Sequence, residues 1–445
     1  MQAGTRPQII DASKGEGGGQ VVRNCAAYAC LLDKSIHLTN IRQANKRQKP
    51  GLRPQHVTCL KVLHQISGAE FRGAEIGKTS IIIEPEVLKH KPCSSKAAKS
   101  QSGDEVRHFV GDTGTAGSIT LLIQAILPCA LFSQKKCKLV LKGGTNATMA
   151  PQYDYFERVF LPVVSRMFDC GDYDEEPRVK DGGICNNNNY NYKLLSNVRP
   201  KVVSRGYYPK GGGVVNLEVD PVYKLRPIKL VDRGSIIQIS IRSWHAGNCP
   251  RSVALKMQKA ANDIILEKIP DVSVSGEVIT EGTGCGSASG ILLVATTTTG
   301  CVFGGSSLGS RKVDCKATGI FAANELLESL FSGGCVDEWL QDQLILYMAL
   351  ADGVSEIMTG SFTLHTKSAI MYAKEVCGAS FDIVPLNDSQ IDKEKDCENK
   401  SNSGTDCSSQ NGTYVYGKEG KVDKSFLIRC HGIGLSNYRV KHLSS

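Results

Sequence analysis

Apolar positions along the chain fall into short blocks that switch between two periods. A period of two reads as a strand, and a period near 3.6 reads as a helix. Segments 8–11, 35–41, 80–84, 138–142, 214–219, 236–242, 291–298 and 361–365 read as strands. Helical spacing runs through 19–32, 53–67, 117–132, 252–268, 317–330, 336–351 and 368–377. Strands and helices therefore alternate along much of the chain, which predicts an α/β or α+β architecture. Three stretches, 87–108, 170–199 and 386–424, are dominated by Lys, Ser, Asn, Asp and Gly. Their apolar content is too sparse for an ordered element, so they are expected to be loops or insertions without chemistry.

Length and composition narrow the class. A chain of 445 residues exceeds one simple core, and two domains are expected. No apolar run approaches the roughly 18 residues that a membrane helix needs. The opening MQAGTRPQIID lacks the charged-then-apolar order of a signal peptide, so a soluble intracellular protein is expected. The 17 cysteines are odd in number and include no Cys-x-x-Cys pair. That pattern argues against a disulfide scaffold and against a cysteine-based zinc site. Charge is uneven within a net +9: residues 1–60 hold nine Lys/Arg against three Asp/Glu, and Lys34 to Lys61 contains seven basic residues and no acidic one. Such a stretch is either a solvated basic face or a place where phosphate binds.

The candidate chemistry sits in glycine-rich turns and their neighbours. Gly15-Glu16-Gly17-Gly18-Gly19-Gln20 precedes a helix that carries Arg23. Adjacent glycines let phosphate approach the backbone, and the next helix offers free N–H groups and a positive dipole end. Glu16 is then an obvious ligand for a magnesium ion carried in on a triphosphate. The segment 41–56, IRQANKRQKPGLRPQH, places Arg42, Arg47, Lys49 and Arg53 ahead of Gln55 and His56. Gly143-Gly144-Thr145-Asn146 and Gly206-Tyr207-Tyr208-Pro209-Lys210 are either pocket linings or plain turns. Trp339, Asp342 and Gln343 share one face of a helix by spacing, suited to stacking on a base and reading its ribose, or to ordinary core packing. His365, in Thr-Leu-His-Thr, is a candidate placed at a strand end. Gly73-Ala-Glu-Ile-Gly77-Lys78-Thr79 has the wrong glycine spacing for a P-loop and leads into a strand.

Taken in order, EGGGQxxR, KPGLRPQH, AGS at 116–118, GGTNATMAPQYDY, RGYYPKGGGVV, GGCVDEWLQDQL and TLHT resemble the RNA 3′-terminal phosphate cyclases. The resemblance spans roughly residues 8–385 and returns at HGIGLSNYR near the end. It implies an α+β fold: a large domain, 1–221 and 335–445, of three strand–helix repeats like the C-terminal domain of bacterial initiation factor three. A smaller α/β domain is inserted over 222–334. It implies ATP and Mg²⁺ (or Mn²⁺) as cofactors and RNA with a 3′-phosphate end as partner, with a homodimer left open. The location expected is the nucleus in a eukaryote and the cytoplasm otherwise.

By position in the family motifs, His365 is the nucleophile that carries AMP and Glu16 the metal ligand. Arg23, Arg42, Arg47 and Gln55 meet phosphate, Trp339 and Pro151 flank adenine, and Asp342 and Gln343 lie near ribose and histidine. Two departures stand out: the basic loop is two residues longer than IRxxRxxPGL, and Trp339 replaces a usual tyrosine. The rival readings are a non-cyclizing, cyclase-like ribosome-assembly protein, a branch without EGGGQ and the histidine, and a pure RNA-binding module.

Overall fold

The structure, a computed structural model, describes residues 6–44, 49–85, 106–169, 197–282, 284–386 and 425–437. In the first sheet Gln8–Asp11 runs parallel to Ile36–Thr39, followed by Ile81–Glu84 and Glu70–Arg72 in antiparallel order. Ile36 and Leu38 alternate inward, as a one-sided sheet requires. The helices Gly19–Leu31 and Pro54–Ser67 belong to this part of the chain. Pro54 opens the second helix, where its missing N–H costs nothing.

A five-stranded sheet follows, in the order Gly284–Cys285, Val198–Gly206, Gly213–Val219, Cys137–Gly143 and Arg107–Asp112. Its companion helix, Ile119–Leu131, is apolar on nearly every side and buried at all but one position, the mark of a central helix. Ser118 caps it by accepting from the Leu121 N–H at 3.3 Å. A third sheet orders Lys229–Leu230, Val354–Thr359, Ser425–His431 and Ser380–Leu386, beside the helices Glu338–Leu350 and Leu364–Tyr372. The fourth, Ser273–Glu281, Ile236–Ala246, Ala288–Thr297 and Val302–Leu308, goes with the helices Arg251–Lys268 and Cys315–Phe331. The architecture is mixed α+β. No helix among the described residues is long and apolar enough to cross a membrane.

Several expectations change. No strand covers 361–365; the strand is Val354–Thr359, and the helix expected from 368 begins at Leu364. The cause is local: the Thr363 hydroxyl accepts from the Thr366 N–H at 3.1 Å and starts the helix before His365. The expected loop stretches lose their edges to the strands Arg107–Asp112, Val198–Gly206 and Ser380–Leu386. Apart from residues 106 and 197, what remains of them lies outside the described residues.

One polar cluster is sunk among these elements. Asp154 is 1 % exposed and receives both terminal nitrogens of Arg205, at 2.8 and 2.9 Å. Arg205 Nε also lies 3.1 Å from Glu281 in the fourth sheet. Burial alone would raise the Asp154 pKa, but the Arg205 guanidinium and its hydrogen bonds hold it below the ordinary value. Removing Arg205 strips the buried Asp154 carboxylate of its paired hydrogen bonds and leaves Arg242 Nε, 3.6 Å away, as its remaining ion pair among the described residues. Arg205→Ala is therefore expected to cost about 3–5 kcal/mol in denaturant unfolding, and a loss under 1 kcal/mol would contradict the argument.

Candidate active site

The glycine loop and the first turn of the helix Leu364–Tyr372 meet. Gly15 and Gly17 take φ of +66° and +63°, a region glycine enters without strain. The loop is tied down by the Glu16 N–H, which donates to Ser368 Oγ at 2.7 Å. Ser368 stands one helical turn after His365, so this tie aligns loop and histidine. His365 Nδ1 lies 3.8 Å from Glu16 Oε2, and the His365 side chain is 56 % exposed. That distance is too long for a direct hydrogen bond and suits two groups facing the same ligand. The Gly18 N–H donates to Glu16 Oε2 at 3.2 Å, which fixes the carboxylate over its own loop.

Behind the loop, the helix Gly19–Leu31 supplies Gln20 and Arg23. Gln20 Nε2 donates to Asp342 Oδ2 at 2.6 Å, and Arg23 Nε donates to Gln124 Oε1 at 2.7 Å. Gln20 Oε1 and Asp342 Oδ1 are sealed from solvent with no hydrogen-bond partner among the described residues. Burial pushes the Asp342 carboxyl up to about 7, against the opposing pull of Arg23 and Gln20. Burial also lowers the Arg23 pKa, while Glu16 and Asp342 act in the other direction.

The basic stretch reaches the same place in part. Arg42 is buried with φ of +57°, and burial followed by Arg53 lowers its pKa while Glu16 acts to raise it. Arg47 lies outside the described residues. Gln55 Oε1 accepts from the Ser118 N–H at 3.2 Å, which joins the second helix to the Ala116–Ser118 turn. His56 is 3 % exposed, and burial, then Arg23, Arg42 and Arg53, hold its pKa down to about 3.

The adenine-side candidates are each anchored separately. Trp339 Nε1 donates to Glu325 Oε1 at 2.8 Å, so the indole is held from the helix Cys315–Phe331. Gln343 Nε2 turns back onto the Trp339 carbonyl at 2.7 Å, whereas Asp342 points to Gln20. The three share a helix, but their polar ends go to different partners. The Pro151 carbonyl accepts from Thr120 Oγ1 at 2.8 Å. Gln124 and Ser368 are not singled out from sequence, and Gln20 is named there only as part of the glycine motif, without a role. The spacing of Ser368 from His365, three residues on a helix, was the available signal; Gln124 had none.

Among the described residues no group of three or more His, Cys, Asp or Glu could hold a metal. Glu16 is a single fixed carboxylate facing the loop, a donor set that fits magnesium arriving with phosphate oxygens and water. The histidine has a separate consequence for stability. An unfolded imidazole titrates near 6.5, whereas folded His56 titrates near 3. The unfolded state thus binds more protons between these values, and stability falls as pH drops through that window. Asp342, lifted in the folded state, contributes the opposite slope, losing stability as pH rises towards 7. It is common to both proteins when wild type is compared with His56→Gln. The variant is expected to lose about 2 kcal/mol less stability between pH 7 and pH 5. Parallel melting curves at the two pH values would refute this.

The sequence model of the RNA 3′-terminal phosphate cyclase family matches residues 14–184 and 189–383. An RNA 3′-terminal phosphate cyclase of Pyrobaculum aerophilum is 34% identical over 372 residues, covering 84% of this chain and 93% of the relative. One of Drosophila melanogaster is 33% identical over 376 residues, covering 84% and 92%. A probable RNA 3′-terminal phosphate cyclase of Dictyostelium discoideum is 36% identical over 392 residues, covering 86% and 80%. With a family match over most of its length and relatives of this similarity, the chain belongs to the RNA 3′-terminal phosphate cyclase family.

Proposed function

We propose that the protein converts an RNA 3′-phosphate to a 2′,3′-cyclic phosphodiester at the expense of ATP, through a covalent histidine–AMP intermediate. The observation that carries the reading is the His365–Glu16 pair, 3.8 Å apart and aligned by Ser368. With Nδ1 turned to Glu16, Nε2 of His365 attacks the α-phosphorus of ATP. An N–P bond forms as the α–β P–O bond breaks, and pyrophosphate leaves. An oxygen of the RNA 3′-phosphate then displaces the histidine, taking AMP into a phosphoanhydride. The neighbouring 2′-hydroxyl attacks the terminal phosphorus, loses its proton, closes the ring and expels AMP.

In this reading Glu16 holds the divalent cation, Mg²⁺ or Mn²⁺, which when bound neutralises phosphate charge. Arg23, Arg42, Arg47 and Gln55 receive phosphate oxygens, Trp339 and Pro151 flank the adenine, and Asp342 and Gln343 serve the ribose side. We read the first, second and third sheets with their helices as the three repeats resembling the initiation-factor domain, and the fourth sheet with its two helices, within 222–334, as the body of the insertion. The short strands Lys229–Leu230 and Gly284–Cys285 of that range join the third and second sheets. The test is incubation of an RNA ending in 3′-phosphate with the protein, ATP and Mg²⁺. The end should become resistant to phosphatase; an end that stays fully sensitive sinks the proposal.

A further inference from the structure

The turns 143–150 and 206–213 have no part in the roles above, although Pro151 directly follows the first of them. Both close one end of the five-stranded sheet, where Gly143 pairs with Gly213. Asn146 pairs with Tyr207, and the Thr145 N–H donates to the Gly206 carbonyl at 2.9 Å. A third turn of the same end, 113–118, is joined on by the Gly144 N–H, which donates to the Gly117 carbonyl at 2.8 Å. Bare backbone makes these approaches possible. A Cβ on Gly144 would stand 2.6 Å from the Ala116 carbonyl oxygen, and one on Gly211, at φ of +68°, would run into that of Thr115. The 113–118 turn also carries Ser118, whose N–H meets Gln55. Backbone contacts therefore link the phosphate and adenine candidates Gln55 and Pro151 to the tip of the 206–213 turn.

Two consecutive tyrosines at that tip face opposite ways. Tyr207 is 3 % exposed and stacks on Trp244 of the fourth sheet, with ring centroids 5.1 Å apart and planes 13° from parallel. Tyr208 is 84 % exposed, and Met149 in the adjoining turn 82 %. No other large hydrophobic side chain among the described residues is as exposed as these two. A single exposed apolar residue needs no explanation. Here the two most exposed stand on turns paired with each other, held by glycine backbone and an aromatic anchor, beside a candidate nucleotide site. A ring presented in this way suits stacking on an unpaired base, and a turn already fixed reduces the ordering that binding must supply. Lys210, exposed two residues further on, brings positive charge to the same tip for a sugar–phosphate chain. Asp112 and Glu281, acids of this region, are committed to the Gly114 N–H at 2.8 Å and to Arg205 at 3.1 Å. We infer that Tyr208, with Met149 of the adjoining turn, is a stacking platform for an unpaired base of the RNA upstream of its 3′-phosphate. The inference deepens the proposed function and rests on it for the identity of the occupant.

The experiment measures binding of a short single-stranded RNA ending in 3′-phosphate to wild type, Tyr208→Ala and Tyr208→Phe, by fluorescence anisotropy. Loss of an aromatic platform should weaken binding to Tyr208→Ala by roughly tenfold. Phenylalanine keeps the ring and should restore the wild-type affinity. The melting temperatures of all three should agree, because the side chain is exposed. The same RNA is then made with an abasic nucleotide at successive positions from its 3′ end. One such RNA should bind wild type as weakly as the intact RNA binds Tyr208→Ala, and should lose no further affinity in that variant. Equal binding of the intact RNA by wild type and Tyr208→Ala overturns the inference. So does a loss in Tyr208→Ala that phenylalanine does not restore, or that no abasic position reproduces. Because binding is read rather than turnover, the two readings fail separately: a wild type that binds this RNA but leaves its end sensitive to phosphatase counts against the proposed function alone.

Discussion

Alanine in place of His365 is expected to abolish covalent labelling of the protein by ATP carrying a radioactive α-phosphate. On the proposed mechanism the imidazole of His365 supplies the nitrogen of the N–P bond. The effect should therefore be complete, not graded. A histidine-linked phosphoramidate is lost in acid and survives alkali, so the label on wild type should show that pattern. With more than half of the side chain exposed, the substitution should leave the fold intact and the melting temperature nearly unchanged. Labelling of His365→Ala at the wild-type level would exclude the mechanism, and so would an unlabelled wild type.

The second large effect is at Glu16. Its backbone N–H, not its side chain, makes the tie to Ser368, so Glu16→Gln leaves the loop anchored. The amide oxygen can still accept from the Gly18 N–H. What changes is the charge and its hold on a divalent cation. A drop in the rate of labelling of roughly 100-fold is expected, on the scale seen when groups supporting a metal are removed. Part of it should return with Mn²⁺ at higher concentration. A Glu16→Gln protein that labels as fast as wild type with limiting Mg²⁺ would remove the carboxylate from the metal site. Comparable loss in Ser368→Ala would instead trace the effect to loop position.

These residues differ in how far they could be read without a structure. Glu16 stands in a glycine-rich turn and Arg23 in the helix that follows, and that turn needs only local backbone freedom, which sequence displays directly. The helix Gly19–Leu31 and the strand Gln8–Asp11 were legible for the same reason, because a repeating apolar pattern reports one buried face. The strand at 361–365 was misread because a short run of mixed residues carries no period, while the decisive Thr363 cap is a side-chain event. The pairing of Ser380–Leu386 with Ser425–His431 joins segments far apart in the chain, and no local pattern encodes such a partner.

Local sequence by itself determined the glycine turns, the uneven positive charge, the helical spacing of Trp339 and Asp342, and the order of motifs that marks the family. Those are properties of neighbours along the chain. Tertiary structure decided which of them share a site. Glu16 and His365 are hundreds of residues apart and meet only because Ser368 holds the loop to the helix. Gln20 and Asp342 are joined in the same way, across two helices. His56 Nδ1 accepts from the Arg53 N–H, and burial beside Arg23, Arg42 and Arg53 keeps the ring neutral. Burial and long-range hydrogen bonds depend on the whole packed molecule, and they turn separate motifs into one electrostatic environment.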